Sequence, residues 1–258
     1  MIGFVGAGNM ATALARGWGD PVLATDSGSG RAAALAAELG GEALLDNAEL
    51  FRRADTIVLG HKPHQLKPVA AGVDGAGKTV ISILGGIPVA ALQAAYPHST
   101  VIRAVPNTPV SLRRGVTCLA QGGEQAVELF ERVGRVFVLP ESQMGVALAT
   151  TSVMPAYVAL VAEAAIDASV RGGLPAGQAT EMLLATLAGS AELLLARDGD
   201  TLGVRREVTS PGGSTARGLA ALERNGLRTA FDDALQAVIA GTSHAPPRPG
   251  GDVSGVVE

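Results

Sequence analysis

Two stretches carry residue types that could do chemistry. The first is Val208-Thr-Ser-Pro-Gly-Gly-Ser-Thr215, a polar turn that runs into an amphipathic segment ending near Glu223. Pro211 has no amide donor, but Gly212 and Gly213 lack side chains, so their N–H groups can converge with those of Ser214 and Thr215 on an anion. A helix starting there adds roughly half a positive charge from its dipole, which suits a small carboxylate. The same residues also read as an ordinary helix start, with Ser210 or Ser214 as the cap and Leu219, Ala220 and Leu222 as the apolar face. The second stretch is Gly6-Ala-Gly8-Asn9-Met10-Ala11, between a β-like run from Ile2 and a helical pattern through Leu14 and Trp18. In that context it reads as a dinucleotide-binding turn. Gly6 permits the tight bend, Gly8 lets a pyrophosphate approach the backbone, and Ala11 lets the helix pack close to the strand.

Other polar residues fall at the ends of apolar runs. Asp26 ends the run Val22–Thr25, roughly twenty residues beyond Gly6, where a carboxylate binds the ribose hydroxyls of NAD. The segment after it, Ser27-Gly-Ser-Gly-Arg31, offers hydroxyls and a guanidinium that suit a 2′-phosphate, so both NADH and NADPH remain open; Arg31 also reads as a solvated residue at a helix start. Lys62 and Pro63 follow the run Thr56–Leu59, with the ammonium near nicotinamide, ribose or substrate. His61 and His64 flank them outside any zinc spacing and read as surface or hydrogen-bonded histidines. Asn107 sits between Pro106 and Pro109, either orienting the cofactor or capping a turn.

The elements that position these residues alternate. Helical patterns over Arg31–Leu39, 47–51, 63–69 and from Pro88 separate apolar runs at Val22–Thr25, Thr56–Leu59, 79–83 and 100–103. That alternation predicts an α/β, doubly wound parallel sheet of Rossmann type, with its ligand beyond the carboxyl ends of the strands. A last strand-helix-strand passage over 116–119, 124–133 and 136–139 completes a domain near Pro140. From Glu141 on, only helix-length segments follow. Residues 144–170 are broken or kinked by Pro155, and Gly172-Gly-Leu-Pro175 stops one helix and starts the next. The helix over 178–195 has apolar residues at Met182, Leu183, Leu187, Leu193 and Leu194, most of its circumference, and so needs a second copy of the chain to cover it. A final helix over 228–240 precedes a Pro- and Gly-rich tail, expected to be disordered over 244–258.

Composition narrows the class. The net charge is −4 and no basic run occurs, which argues against a nucleic-acid partner. The single cysteine, Cys118, excludes an internal disulfide and a multi-cysteine metal site, so no metal is expected, and it fits a reducing cytoplasm. No signal-peptide pattern follows Met1. The apolar stretch 146–170 contains Pro155, Glu163 and Asp167 and reads as a buried helix, not a membrane span. With aromatics at 3%, Ala, Leu and Val must fill the core.

Five separated motifs together resemble the pyrroline-5-carboxylate reductase family: Gly6 to Ala11, Lys62-Pro63, Arg103-Ala-Val-Pro-Asn-Thr-Pro109, Pro155-Ala-Tyr157 and Val208 to Thr215. The resemblance implies a Rossmann domain over 1–140 followed by an all-α dimerisation domain over 141–243, in a homodimer sometimes built into larger rings. It implies cofactor contacts at Gly6, Gly8, Asn9, Met10, Asp26, Ser27, Asn47, Lys62, Pro63 and Asn107. The substrate would be a cyclic imine with its carboxylate at Ser210, Gly212, Gly213 and Ser214, and with the Thr215 hydroxyl near the imine nitrogen as the catalytic contact. Hydride transfer from NADPH or NADH to the C=N carbon then completes proline biosynthesis. Two stretches depart from the family pattern. Thr151-Ser-Val-Met154 replaces a run of small residues, and Asp198-Gly-Asp-Thr201 replaces Glu-His-Pro. They leave open a reductase of another cyclic imine or carbonyl, or a non-catalytic dinucleotide-binding homologue. A β-hydroxyacid dehydrogenase is disfavoured because no lysine occurs after Lys78 to serve as its acid-base.

Overall fold

A computed structural model of the chain describes residues 1–121 and 123–242, so the tail expected over 244–258 lies outside the described residues. Contacts divide the described residues into two compact units, Met1–Val153 with 237–242, and Met154–Gln236.

In the first unit, short runs of Val, Ile, Leu and Phe form strands whose side chains point alternately to two covered faces. The strands are β1 (Ile2–Val5), β2 (Val22–Thr25), β3 (Glu42–Ala43), β4 (Thr56–Leu59), β5 (Thr79–Ser82), β6 (Thr100–Pro106), β7 (Gly115–Ala120) and β8 (Gly134–Leu139). Between and after them come α1 (Asn9–Trp18), α2 (Arg31–Leu39), α3 (Asn47–Arg53), α4 (Leu66–Ala71), α5 (Val89–Ala95), α6 (Glu124–Glu131) and α7 (Met144–Ala147). Phe4, Val58 and Ile81 face α1, α2 and α6, while Val5, Ile57, Leu59 and Val80 face α3, α4 and α5. The few aromatics are concentrated where they fill most volume: Trp18 lies between Phe4 and Phe130, with ring centroids 5.8 and 5.6 Å away, and Phe51 stacks on Tyr96.

The spatial order is β3-β2-β1-β4-β5-β6-β7-β8, and the chain reverses direction across the sheet between β1 and β4. The sheet is not wholly parallel as expected, because β7 pairs with β6 antiparallel, with Arg103 opposite Ala120 and Pro106 opposite Thr117. Only the 3-10 turn Thr108–Leu112 and its flanking residues join those strands, and a parallel return needs a crossover of a dozen or more residues. β3, a two-residue edge strand, was not anticipated from the sequence. Arg103, 8% exposed, pairs with Glu141 at 3.2 Å, and the same carboxylate oxygen accepts the amide of Val89 at 2.6 Å and so caps α5.

The segment expected to break or kink at Pro155 breaks just ahead of it, in a single π-type turn, Leu148–Ser152, where the Ser152 hydroxyl donates to the Pro106 carbonyl at 2.6 Å. Pro155 then falls in the first turn of the next helix, where its missing amide leaves no bond unmade.

In the second unit, α8 (Met154–Arg171) and α9 (Ala176–Ala196) pack on each other, and α10 (Thr201–Glu207), α11 (Ser214–Arg224) and α12 (Leu227–Thr242) follow, the last running on past Gln236. The altered segment Asp198-Gly-Asp-Thr201 shapes the backbone between two helices. Asp198 takes a left-handed conformation that ends α9, and Asp200 accepts the Gly203 amide at 2.8 Å to cap α10. Only Ala162 and Ala179 of α8 and α9 are buried, while Leu160, Met182 and Leu195 are 65%, 58% and 66% exposed. By length and composition alone, Glu141–Arg171 and Ala176–Ala196 could each cross a membrane.

Candidate cofactor cleft and anion-binding turn

A cleft of about 550 Å³ opens at the carboxyl ends of β1, β2 and β4. Of the residues expected at the cofactor, Gly6, Gly8, Asn9, Asp26, Ser27, Asn47 and Lys62 line it; Met10, Pro63 and Asn107 do not. Gly6 has φ +97°, and a side chain there would meet the backbone nitrogen of His61 at 2.7 Å, so only glycine lets the β1 and β4 turns touch. Gly8 precedes α1 in an extended conformation, with no side chain capping the helix, which leaves the first amides of α1 open toward the cleft. A cradle that a Cβ would fill, next to unpaired helix amides, fits a pyrophosphate.

Asp26 does not extend into open space. One oxygen accepts the Gly28 amide at 2.8 Å, and the other accepts the Ser29 hydroxyl at 2.8 Å and the Ala32 amide at 3.0 Å. These bonds, that from Ala32 foremost and then that from Ser29, pull its pKa down to about 2 and keep it ionised. Ser29 and Arg31 also line the cleft, and the Arg31 guanidinium has no protein partner among the described residues. Thr25 donates its hydroxyl to Asn47 Oδ1 at 2.6 Å.

Lys62 is held through its backbone, its amide donating to Gln65 Oε1 at 3.0 Å and its carbonyl accepting the Gln65 amide at 2.9 Å. His61 Nδ1 lies 2.9 Å from the same carbonyl, and burial pushes the imidazole below its ordinary pKa. Sequence reasoning missed Thr25 and Gln65, whose only signal was position at the end of a strand or one turn after Lys62.

Asn107 acts inside the fold. Its Oδ1 accepts the Val116 amide at 2.8 Å, its Nδ2 donates to the Thr151 carbonyl at 3.4 Å, and it is 8% exposed. Both ends of the amide are therefore committed to joining β6, β7 and the π turn.

In the second unit, the turn over 208–215 enters α11. Gly212 has φ +68°, Gly213 is the cap residue, and no side chain caps the helix, so neither Ser210 nor Ser214 serves as the expected cap. The Gly213 amide is spent within the turn on Ser210 O at 3.0 Å, while those of Gly212, Ser214 and Thr215 have no protein acceptor among the described residues. A side chain at Gly213 would collide with Ser210 Oγ. Arg217 donates to the Gly212 carbonyl at 2.9 Å, which occupies that oxygen and places a positive charge beside the turn. Ser210, Ser214 and Thr215 are exposed within this chain. The arrangement offers unpaired amides and a helix dipole to an anion, with the Thr215 hydroxyl in the first helical turn.

Comparison with known proteins agrees with this geometry. Residues 141–244 match the family described as pyrroline-5-carboxylate reductase dimerisation, and residues 1–86 match that described as NADP oxidoreductase, coenzyme F420-dependent. The chain is 36% identical over 201 residues to a pyrroline-5-carboxylate reductase of Synechocystis, covering 74% of this chain and 75% of that one. It is 35% identical over 255 residues to one from Pseudomonas aeruginosa, covering 92% and 93%. The crystal structure of Plasmodium falciparum pyrroline carboxylate reductase with NADP bound superimposes with a TM-score of 0.84 at 26% identity, over 93% of this chain and 96% of that one.

Proposed function

The chain belongs to the pyrroline-5-carboxylate reductase family, and from that premise we propose that it reduces 1-pyrroline-5-carboxylate to proline with NADPH, the last step of proline biosynthesis. The observation that carries this reading is the pairing of two receptors in one chain, a cleft built for a dinucleotide pyrophosphate and a turn whose unpaired amides suit a small carboxylate.

The amides of Gly212 and Ser214, with the α11 dipole, hold the carboxylate of the imine. The Thr215 hydroxyl faces the ring nitrogen and retains its proton, so that the neutral secondary amine forms as the C=N carbon is reduced. Reduced nicotinamide, when bound, supplies the hydride. An imine is basic enough to be protonated near neutrality, so the protein's main contribution is placement, holding the reacting atoms about 3 to 3.5 Å apart. Gly6, Gly8 and Asn9 receive the pyrophosphate, and the Lys62 ammonium adds positive charge on the β4 side of the cleft. At the β2 end, Asp26 is engaged by its own loop and Arg31 is free, which favours a 2′-phosphate over a bare hydroxyl pair.

The same reading assigns cofactor binding to residues 1–140 and substrate binding and dimerisation to 141–243. A homodimer covers the apolar faces of α8 and α9, which accounts for helices of membrane-spanning length. The protein then acts in the cytoplasm, where Cys118 stays reduced.

The test is steady-state oxidation of NADPH and NADH in parallel, with pyrroline-5-carboxylate as acceptor. Turnover with NADPH exceeding that with NADH is expected. Binding of either cofactor without turnover would overturn the catalytic reading, and preference for NADH would overturn the role given to Arg31.

A further inference from the structure

The floor of the cleft at the β2 end holds a side-chain pair that the reaction itself does not require. Thr25, the last residue of β2, is 4% exposed; its carbonyl accepts the Gly6 amide at 2.9 Å, which fixes its backbone to the phosphate turn. Its hydroxyl donates to Asn47 Oδ1 at 2.6 Å. Asn47 opens α3, whose cap Asp46 accepts the Ala48 amide at 2.9 Å, so its backbone is fixed as well. Two anchored residues therefore face each other through one short hydrogen bond at the wall of the cleft.

A hydroxyl has a single proton, and a carboxamide has an acceptor end and a donor end. Thr25 has no other acceptor among the described residues, so the sense of the Asn47 amide that satisfies the buried hydroxyl puts Oδ1 toward Thr25. The reverse sense would leave the hydroxyl proton without an acceptor in a buried position. The NH2 group is thereby turned away from Thr25, and no protein group among the described residues accepts from it.

At this end of a Rossmann cleft lies the adenosine ribose. The donors there that are not already engaged are the Asn47 NH2, the Arg31 guanidinium and the Ser27 hydroxyl, while three of the four lone-pair sites of the Asp26 carboxylate are taken within its own loop. A ribose 2′-hydroxyl needs an acceptor for its proton, and a 2′-phosphate only accepts. We propose that Thr25 is a specificity-determining positioning residue, which selects the 2′-phosphorylated cofactor by locking the Asn47 amide with its NH2 toward the ribose. The proposal rests on the cofactor reading above.

Without the Thr25 hydroxyl the amide can turn and present Oδ1 to a ribose hydroxyl, so the loss falls on NADPH and not on NADH. The experiment is direct fluorescence titration of the purified full chain with NADPH and with NADH, which needs no turnover. Thr25→Val is isosteric, Thr25→Ser keeps the hydroxyl, and Asn47→Ala removes the group Thr25 acts through. Thr25→Val should raise the Kd for NADPH about 3- to 10-fold, the size of one hydrogen bond, while the Kd for NADH moves less than about twofold. Thr25→Ser should restore NADPH binding, and in the Asn47→Ala background the Thr25→Val effect should vanish. Equal weakening of both cofactors by Thr25→Val with a lowered Tm, failure of Thr25→Ser to rescue, or persistence of the effect in Asn47→Ala would each overturn the proposal. A wild-type chain that binds neither cofactor would instead sink the cofactor reading itself, and this inference with it.

Discussion

Replacing Gly6 and Gly8 separately by alanine distinguishes a glycine the fold needs from one the ligand needs. At Gly6 the φ of +97° is a conformation L residues avoid, and the new Cβ would lie 2.7 Å from His61 N, 2.8 Å from Gly60 C and 3.0 Å from Gly60 O. These are backbone atoms of the β4 turn, so relief requires the β1 and β4 ends to separate. Strain at such a φ costs roughly 1–3 kcal/mol, and overpacking adds roughly 1–3 kcal/mol, for a total of about 2–6 kcal/mol. Gly8 has φ −72° and ψ 173°, and its Cβ would touch only Gly60 O at 3.6 Å, an ordinary contact. Gly8→Ala should therefore leave folding unchanged or gain up to about 1 kcal/mol through the unfolded chain. That methyl group nevertheless occupies the approach of the pyrophosphate to the amides of α1.

Thermal unfolding should show a Tm lowered by several degrees for Gly6→Ala and an unchanged or slightly raised Tm for Gly8→Ala. NADPH titration should show binding weakened about tenfold or more in both, since a lost charge-assisted hydrogen bond to phosphate is worth roughly 1.5–3 kcal/mol. Wild-type stability in Gly6→Ala would refute the close approach of the two turns. Wild-type NADPH affinity in Gly8→Ala would refute the placement of the pyrophosphate.

Thr215→Val should lower kcat/KM for the imine roughly 5- to 150-fold, the equivalent of about 1–3 kcal/mol for a desolvated hydrogen bond, with the Kd for NADPH unchanged; equal loss of cofactor binding would remove Thr215 from the substrate. Asp26, its pKa lowered to about 2 against about 3.9 in an unfolded chain, contributes stability that is fully present above the unfolded value and is lost as pH falls through the folded one. Thermal unfolding followed from pH 5 to pH 2 should thus fall more steeply in the wild type than in Asp26→Asn, and parallel curves would contradict the three bonds drawn to that carboxylate. Leu160→Glu on α8, at a position 65% exposed in the single chain, should leave the isolated fold intact and convert the dimer to monomer in sedimentation velocity. An unchanged dimer would mean that α8 is not the buried face.

What could be read from the sequence is what depends on near neighbours in the chain. The run Val22–Thr25 and the helix Arg31–Leu39 have the expected bounds, because apolar periodicity and the glycines around each element act within a few residues. The phosphate turn was legible for the same reason: Gly6, Gly8 and Ala11 impose their geometry on a single strand-turn-helix unit. The surplus of apolar residues on α9 pointed to a second copy of the chain as its cover, and within one chain that helix stays largely exposed.

The folded structure decided which group each polar atom meets. Asp26 reads as a ribose ligand by spacing, yet the curl of its own loop brings the Ser29 hydroxyl and the amides of Gly28 and Ala32 to its oxygens. Asn107 stands between prolines in a motif that suggests ligand contact, but Val116 and Thr151 take both ends of its amide. Thr25 looked like one more β-branched strand residue until α3 placed Asn47 across from it. The antiparallel pairing of β6 and β7 turns on the few residues between them, too few for a crossover. A backbone pattern repeats along the chain and can be read there. A long-range partner, such as Asn47 for Thr25 or Thr151 for Asn107, is chosen through space among groups tens of residues apart, and only the folded arrangement brings the competing donors and acceptors together.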